Sequence, residues 1–128
     1  NQTKGINMDY QEKHLRDFVP QWNDNRELEE SSQVVVKLAP MTGGELRSIH
    51  RSAITKDGKV DIEKAQKAIE SVIRKRVSSI ENLVDILDEP VTNGSDLWDR
   101  AEQGLIDEVY AAITEVSVLR EGLKKKSV

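Results

Sequence analysis

Three consecutive valines, Val34–Val36, lead through Lys37 and Leu38 to Pro40, and just beyond them the pattern changes period. β-Branched side chains favour extended backbone and proline cannot donate to a ladder, so "QVVVKLAP" reads as a strand closed by Pro40. Alternation puts Val34, Val36 and Leu38 on a core face, with Val35 and Lys37 facing out. Thr42 and Glu45 then bracket Gly43 and Gly44 as a capping box, opening a helix whose apolar residues Leu46, Ile49 and Ala53 share one face. A strand that gives way to a helix so abruptly demands a fold with both kinds of layer.

Upstream, "LRDFVP" reads as a shorter extended run stopped by Pro20. "QWNDNRELEESS" between the two runs reads as a polar loop, with Asn23–Asn25 as turn formers and Glu27, Glu29 and Glu30 as a solvated acidic cluster. Two strands make a marginal unit, so the pair must lie on helices or on another chain.

Downstream, Asp57–Gly58 marks a turn, and Asp61 caps a helix with the stripe Ile62, Ala65, Ile69, Val72 and Ile73 and a basic end at Arg74–Arg76. Ile80, Leu83, Val84 and Leu87 fit a short helix, and Ser95 caps another holding Leu97, Trp98 and Ala101. The last helix carries Leu105, Val109, Ala112, Ile113, Val116 and Leu119 on one stripe, with Gly122 at its end. These readings give an α+β, mostly α chain: a small N-terminal antiparallel β pair followed by a bundle of about four to five helices. Residues 1–17 are expected to be flexible or extended, 18–122 to form a single α-rich domain, and 123–128 a basic tail. Met8 is a candidate native start, and no internal repeat is visible in the sequence.

The residues argue against several chemistries. In "GGELR" Glu45 stands where a phosphate-binding loop needs lysine, and a carboxylate there repels phosphate. "KDGKVDIEKA" imitates half of a calcium loop, but Ala53, Thr55 and Lys64 occupy positions that need oxygen ligands. The two histidines, His14 and His50, have no acidic neighbour at ligand spacing, and no serine sits in a nucleophile elbow. The chain has no cysteine, which removes thiolate sites and disulfides together. No apolar stretch approaches membrane-spanning length. The basic clusters Arg74–Arg76 and Lys124–Lys126 follow helix ends without interleaved aromatics, and a net charge of −4 weighs against a nucleic-acid surface. No catalytic residue, metal ligand or cofactor is expected.

Several phrases together resemble the tail assembly chaperones of siphophage-type tail modules. "FVPQWNDNRELEESSQVVVKLAPMTGGELR" is similar to their N-terminal part; "VSSIENLVD", "TNGSDLW" and "LIDEVYAAITEVSVLREGLKKK" are similar to their C-terminal helices. The resemblance spans Phe18 to Lys126. It implies a protein of the host cytoplasm, not a major component of the mature virion, that binds the tape measure protein, keeps it soluble and recruits tail tube protein. In many members of that family a programmed frameshift appends a second domain to a fraction of the product; consecutive lysine codons behind "LKKKSV" are a candidate slippery run here, which the nucleotide sequence decides. Partner contacts are expected at Leu97, Trp98, Leu105 and Val109, because aromatics and leucines serve as interface anchors, with burial in the domain's own core as the alternative for each. Self-association through Val35 and the exposed side of its strand is a further expectation. A structural virion protein (a tail completion or head–tail connector subunit) is the alternative function, and a DNA-binding regulator a weaker one.

Overall fold

The computed structural model describes residues 15–126, with side chains from 15 to 115. Met8 and His14 lie outside the described residues, as do the side chains of Val116, Leu119 and Lys124–Lys126. The fold is α+β and mostly helical, built on a three-stranded antiparallel sheet. In chain order the strands are β1 (Arg16–Phe18), β2 (Val35–Leu38) and β3 (Val77–Glu81), and β2 is the central one. Four α-helices follow or interleave: α1 (Gly43–Ser52), α2 (Ile62–Arg76), α3 (Gly94–Arg100) and α4 (Gln103–Lys126).

β1 and β2 are the expected pair, with Phe18 opposite Val36. Val34, Val36 and Leu38 are buried while Val35 and Lys37 are half-buried, as alternation requires. The third strand replaces the short helix expected around Ile80. Val77 and Ile80, three residues apart, would point to opposite faces of a regular strand. A register shift opposite Lys37 and Leu38, which pairs Lys37 with Ser79 but Leu38 with Val77, brings both into the core. A bulged strand can therefore carry the apolar spacing of a helix. β3 also corrects the expectation for Val35: β2 is paired on both sides, so its backbone offers no edge to a neighbouring copy.

The segment expected as a polar loop contains two short 3-10 turns, Trp22–Glu27 and Glu30–Ser32. Asn23 and Asp24 both take left-handed backbone (φ 51° and 57°), which short polar side chains tolerate. This turns Asn25 inward, where it is only 2% exposed. Its Nδ2 donates to the Pro20 and Val34 carbonyls (2.9 and 3.0 Å), and its Oδ1 accepts from the Val34 amide (2.7 Å). Asn82, also left-handed, donates to the Ser31 and Gln33 carbonyls from the end of β3. Two asparagines thus hold the entry to β2 from opposite sides.

The core joins Val34, Val36 and Leu38 to Val72 and Ile73 of α2, Leu97 of α3, and Leu105, Ile106, Val109, Ala112 and Ile113 of α4. Asp61 caps α2, its carboxylate accepting from the Lys64 amide, but Ile62 points to solvent although it fits the stripe. The cap of α3 is Asn93 rather than Ser95, its side chain accepting from the Asp96 amide at 2.9 Å. Gly94 then lies against α2: a Cβ there would sit 2.2 Å from the Ile73 carbonyl oxygen, so the crossing of α2 and α3 requires glycine. α4 continues through Gly122 to Lys126 instead of ending at that glycine.

Asn25→Ala leaves two buried carbonyls and one amide without their partner, and is expected to cost roughly 2–3 kcal/mol in urea unfolding. Asn25→Asp, nearly identical in shape, loses both donors and is expected to cost at least as much; near-native stability of the aspartate variant would contradict this role.

Candidate interaction surfaces

α1 begins with the capping box expected from Thr42 and Glu45. Thr42 Oγ1 accepts from the Glu45 amide (3.1 Å), and Glu45 Oε1 accepts from the Thr42 amide (3.0 Å). The second carboxylate oxygen of Glu45 pairs with Arg76, at the end of α2. One glutamate therefore caps α1 and fastens it to α2, and the paired glycines serve this joint. Arg76 also reaches the Pro40 carbonyl. Arg74 pairs with Glu70 (2.8 Å) and Asp99 (2.7 Å), and these contacts raise its pKa, Asp99 contributing most. Two of the three cations in the Arg74–Arg76 cluster are thus engaged within the domain.

Beside this joint, α1 and α2 enclose an open groove of about 410 Å³. Its apolar floor is Met41, Ile49 and Val72; Gly44, Ser48 and Ser71 form low walls, and Lys75 stands at the rim. Small residues at those walls leave the groove open. Two smaller clefts flank α4. One, lined by Phe18, Gln21, Arg26 and Glu108, is crossed by the hydrogen bond from the Gln21 amide to Glu108. In the other, Trp22 donates its indole N–H to Glu102 (3.1 Å) beside Leu83 and Ala101.

The contact residues expected from sequence separate into two groups. Leu97, Leu105 and Val109 are fully buried and together line the core, so no partner reaches them in this conformation. Trp98 packs against that core with part of its surface exposed, and Val35 is half-buried within the central strand.

Among the described residues, large apolar side chains are exposed elsewhere, at Leu28 between β1 and β2 and in two loops. The loop joining α1 to α2 shows Ile54, Val60 and, at the start of α2, Ile62. The loop after β3 shows Val84, Ile86 and Leu87, with Ile86 at 90% exposure. The two loops share one hydrogen-bond plan. In the first, Ile54 bridges Val60, the Thr55 amide donates to the Lys59 carbonyl, the Gly58 amide to the Thr55 carbonyl, and the Asp61 amide to the Ala53 carbonyl. In the second, Val84 bridges Pro90, with equivalent bonds from Asp85 to Glu89, Asp88 to Asp85, and Val91 to Leu83. Each partner recurs thirty positions on, and Gly58 and Asp88 both take positive φ. No sequence repeat announces this, because the plan is made by backbone groups and needs only a left-handed residue at one position. A turn flanked by isoleucine and valine with no helical partners was the available signal.

The second loop is clamped by Arg100, which donates to Asp85 (2.5 Å) and the Pro90 carbonyl (2.8 Å) and pairs with Asp96 (3.3 Å). The Asp85 side chain is only 5% exposed and accepts from the Glu89 and Leu87 amides. Those bonds, the Glu89 amide first, and Arg100 hold its carboxyl below the usual aspartate range despite partial burial. Among the described residues, no group of three or more His, Cys, Asp or Glu is placed to hold a metal ion, and no helix is long and apolar enough to cross a membrane. No family model, curated protein or solved structure matches this chain.

A depressed carboxyl contributes order above its unfolded pKa and loses that contribution as pH falls through its folded value. The Leu87 and Glu89 amide resonances are therefore expected to titrate together with a midpoint below the usual aspartate range, and Asp85→Asn is expected to abolish that step. A midpoint within or above the usual range would contradict the clamp.

Proposed function

We propose that this chain is a phage tail assembly chaperone, which binds the tape measure protein in the host cytoplasm, keeps it soluble and recruits tail tube subunits around it. The resemblance of the sequence phrases from Phe18 to Lys126 supports this reading, and the α1–α2 groove offers a means for it. A long helical client exposes apolar stripes that aggregate in water, and an open groove with an apolar floor and small walls suits one turn of such a helix. The groove is the single observation that carries this reading. It moves the contact from the buried Leu97, Leu105 and Val109 to the groove between α1 and α2, where half-buried Ile49 and exposed Gly44 and Ser48 meet solvent above the nearly buried Met41 and Val72. The joint made by Glu45 and Arg76 keeps α1 and α2 apart at fixed spacing, so the groove exists before a client arrives.

Co-expression tests this. The tape measure protein is expected in the soluble fraction with the wild-type chain and to fall about tenfold with Ser48→Arg, which fills the groove from an exposed helical position. An unchanged melting temperature of the variant separates blockage from misfolding. Equal solubility with wild type and variant would remove the groove, and abundant copies of the chain in purified virions would favour a tail completion or connector subunit.

A further inference from the structure

We infer that the two apolar loops are the two halves of one contact, so that the chain self-associates head to tail, the α1–α2 loop of one copy seated on the post-β3 loop of the next. This is independent of the chaperone reading and uses no residue of the α1–α2 groove floor.

Both loops carry exposed apolar side chains on a fixed frame. In each, the bridge is flanked by hydrogen bonds on either side and is itself the non-hydrogen-bonded pair, so Ile54 and Val60, or Val84 and Pro90, stand side by side. Ile62 (72% exposed) enlarges the first patch; Ile86 and Leu87 (76% exposed) enlarge the second. Neither patch is covered by another described element.

Charge sets the two patches apart: the second is acidic, and the first offers lysines, unpaired among the described residues, beside a helix N-terminus. From Ile54 to Ile62 the chain carries Lys56 and Lys59 against Asp57 and Asp61, and the Asp61 carboxylate is engaged as the cap of α2. From Val84 to Pro90 it carries Asp85, Asp88 and Glu89 with no cation, and Arg100 answers only Asp85. Among the described residues, no ion pair engages Lys56, Lys59, Asp88 or Glu89. Two copies of the second loop face to face would place Asp88 and Glu89 against their own kind, whereas the first loop brings lysines to them.

The two patches cannot cover each other within one molecule. The first loop feeds the N-terminus of α2, while the second is tied through Arg100 to α3, which crosses α2 at Ile73 and Arg74 near its opposite end. A helix of that length spans about 22 Å. A contact between unlike patches at separated sites is heterologous and propagates into a ring or an open string.

The test is sedimentation velocity on the full chain over rising concentration, with two variants at exposed positions. Ile62→Asp puts an anion in the first patch, where a helix N-terminus accepts it, and Ile86→Asp does the same in the second. The wild type is expected to associate with concentration, and each variant alone to remain monomeric. An equimolar mixture of the two is expected to form dimers and stop there, because each variant keeps one working face. A wild type monomeric throughout, a single variant that still associates, or a mixture that stays monomeric would each overturn the inference.

Discussion

Val36 is the point at which the chain closes. It is fully buried and sits opposite Phe18 on one side and Ile80 on the other, joining segments far apart in sequence through one central strand. Everything that positions the interaction surfaces depends on this pairing. β3 leaves α2 directly, so fixing β3 against β2 fixes the end of α2, and the Glu45–Arg76 pair then fixes α1 against it. At the other end of β3, Asn82 grips the turn before β2 and the chain passes into the apolar loop clamped by Arg100. Asn25 sets where β2 begins, and a shift there by one residue would send Val36 and Leu38 to the wrong face.

The sequence was legible where side-chain chemistry is local. The valine strand, its facing alternation, the Thr42–Glu45 box and the Asp61 cap all depend on residues within a few positions of one another. The same holds for the buried stripe Leu105, Val109, Ala112 and Ile113. What was illegible depends on partners distant in sequence. Val77 and Ile80 carry helical spacing, and only the bulge against β2 makes them one face of a strand. Asn93 takes the cap from Ser95 because Gly94, one residue on, must lie against the Ile73 carbonyl. Ile62 fits a helical stripe but falls beyond the area that the rest of the core covers.

The surfaces were hidden for a related reason. Anchoring residue types drew attention to Leu97, Trp98, Leu105 and Val109, yet residues with that chemistry serve a small domain first as its core. The groove owes as much to what is small as to what is apolar: Gly44, Ser48 and Ser71 look featureless in sequence and become informative only when α1 and α2 are set side by side. Under the proposed function, such a protein would hold its partner on preformed relief without opening its core.

That closed core is the central claim, and amide chemical-shift mapping of the full chain during titration with a helical segment of the tape measure protein tests it most directly. Perturbation confined to Gly44, Ser48, Ile49, Ser71 and their neighbours, with Leu97, Leu105 and Val109 unmoved, is the predicted result. Large shifts or loss of signal at Leu97, Leu105 and Val109, with the groove silent, would show that the client enters the core and would contradict the account.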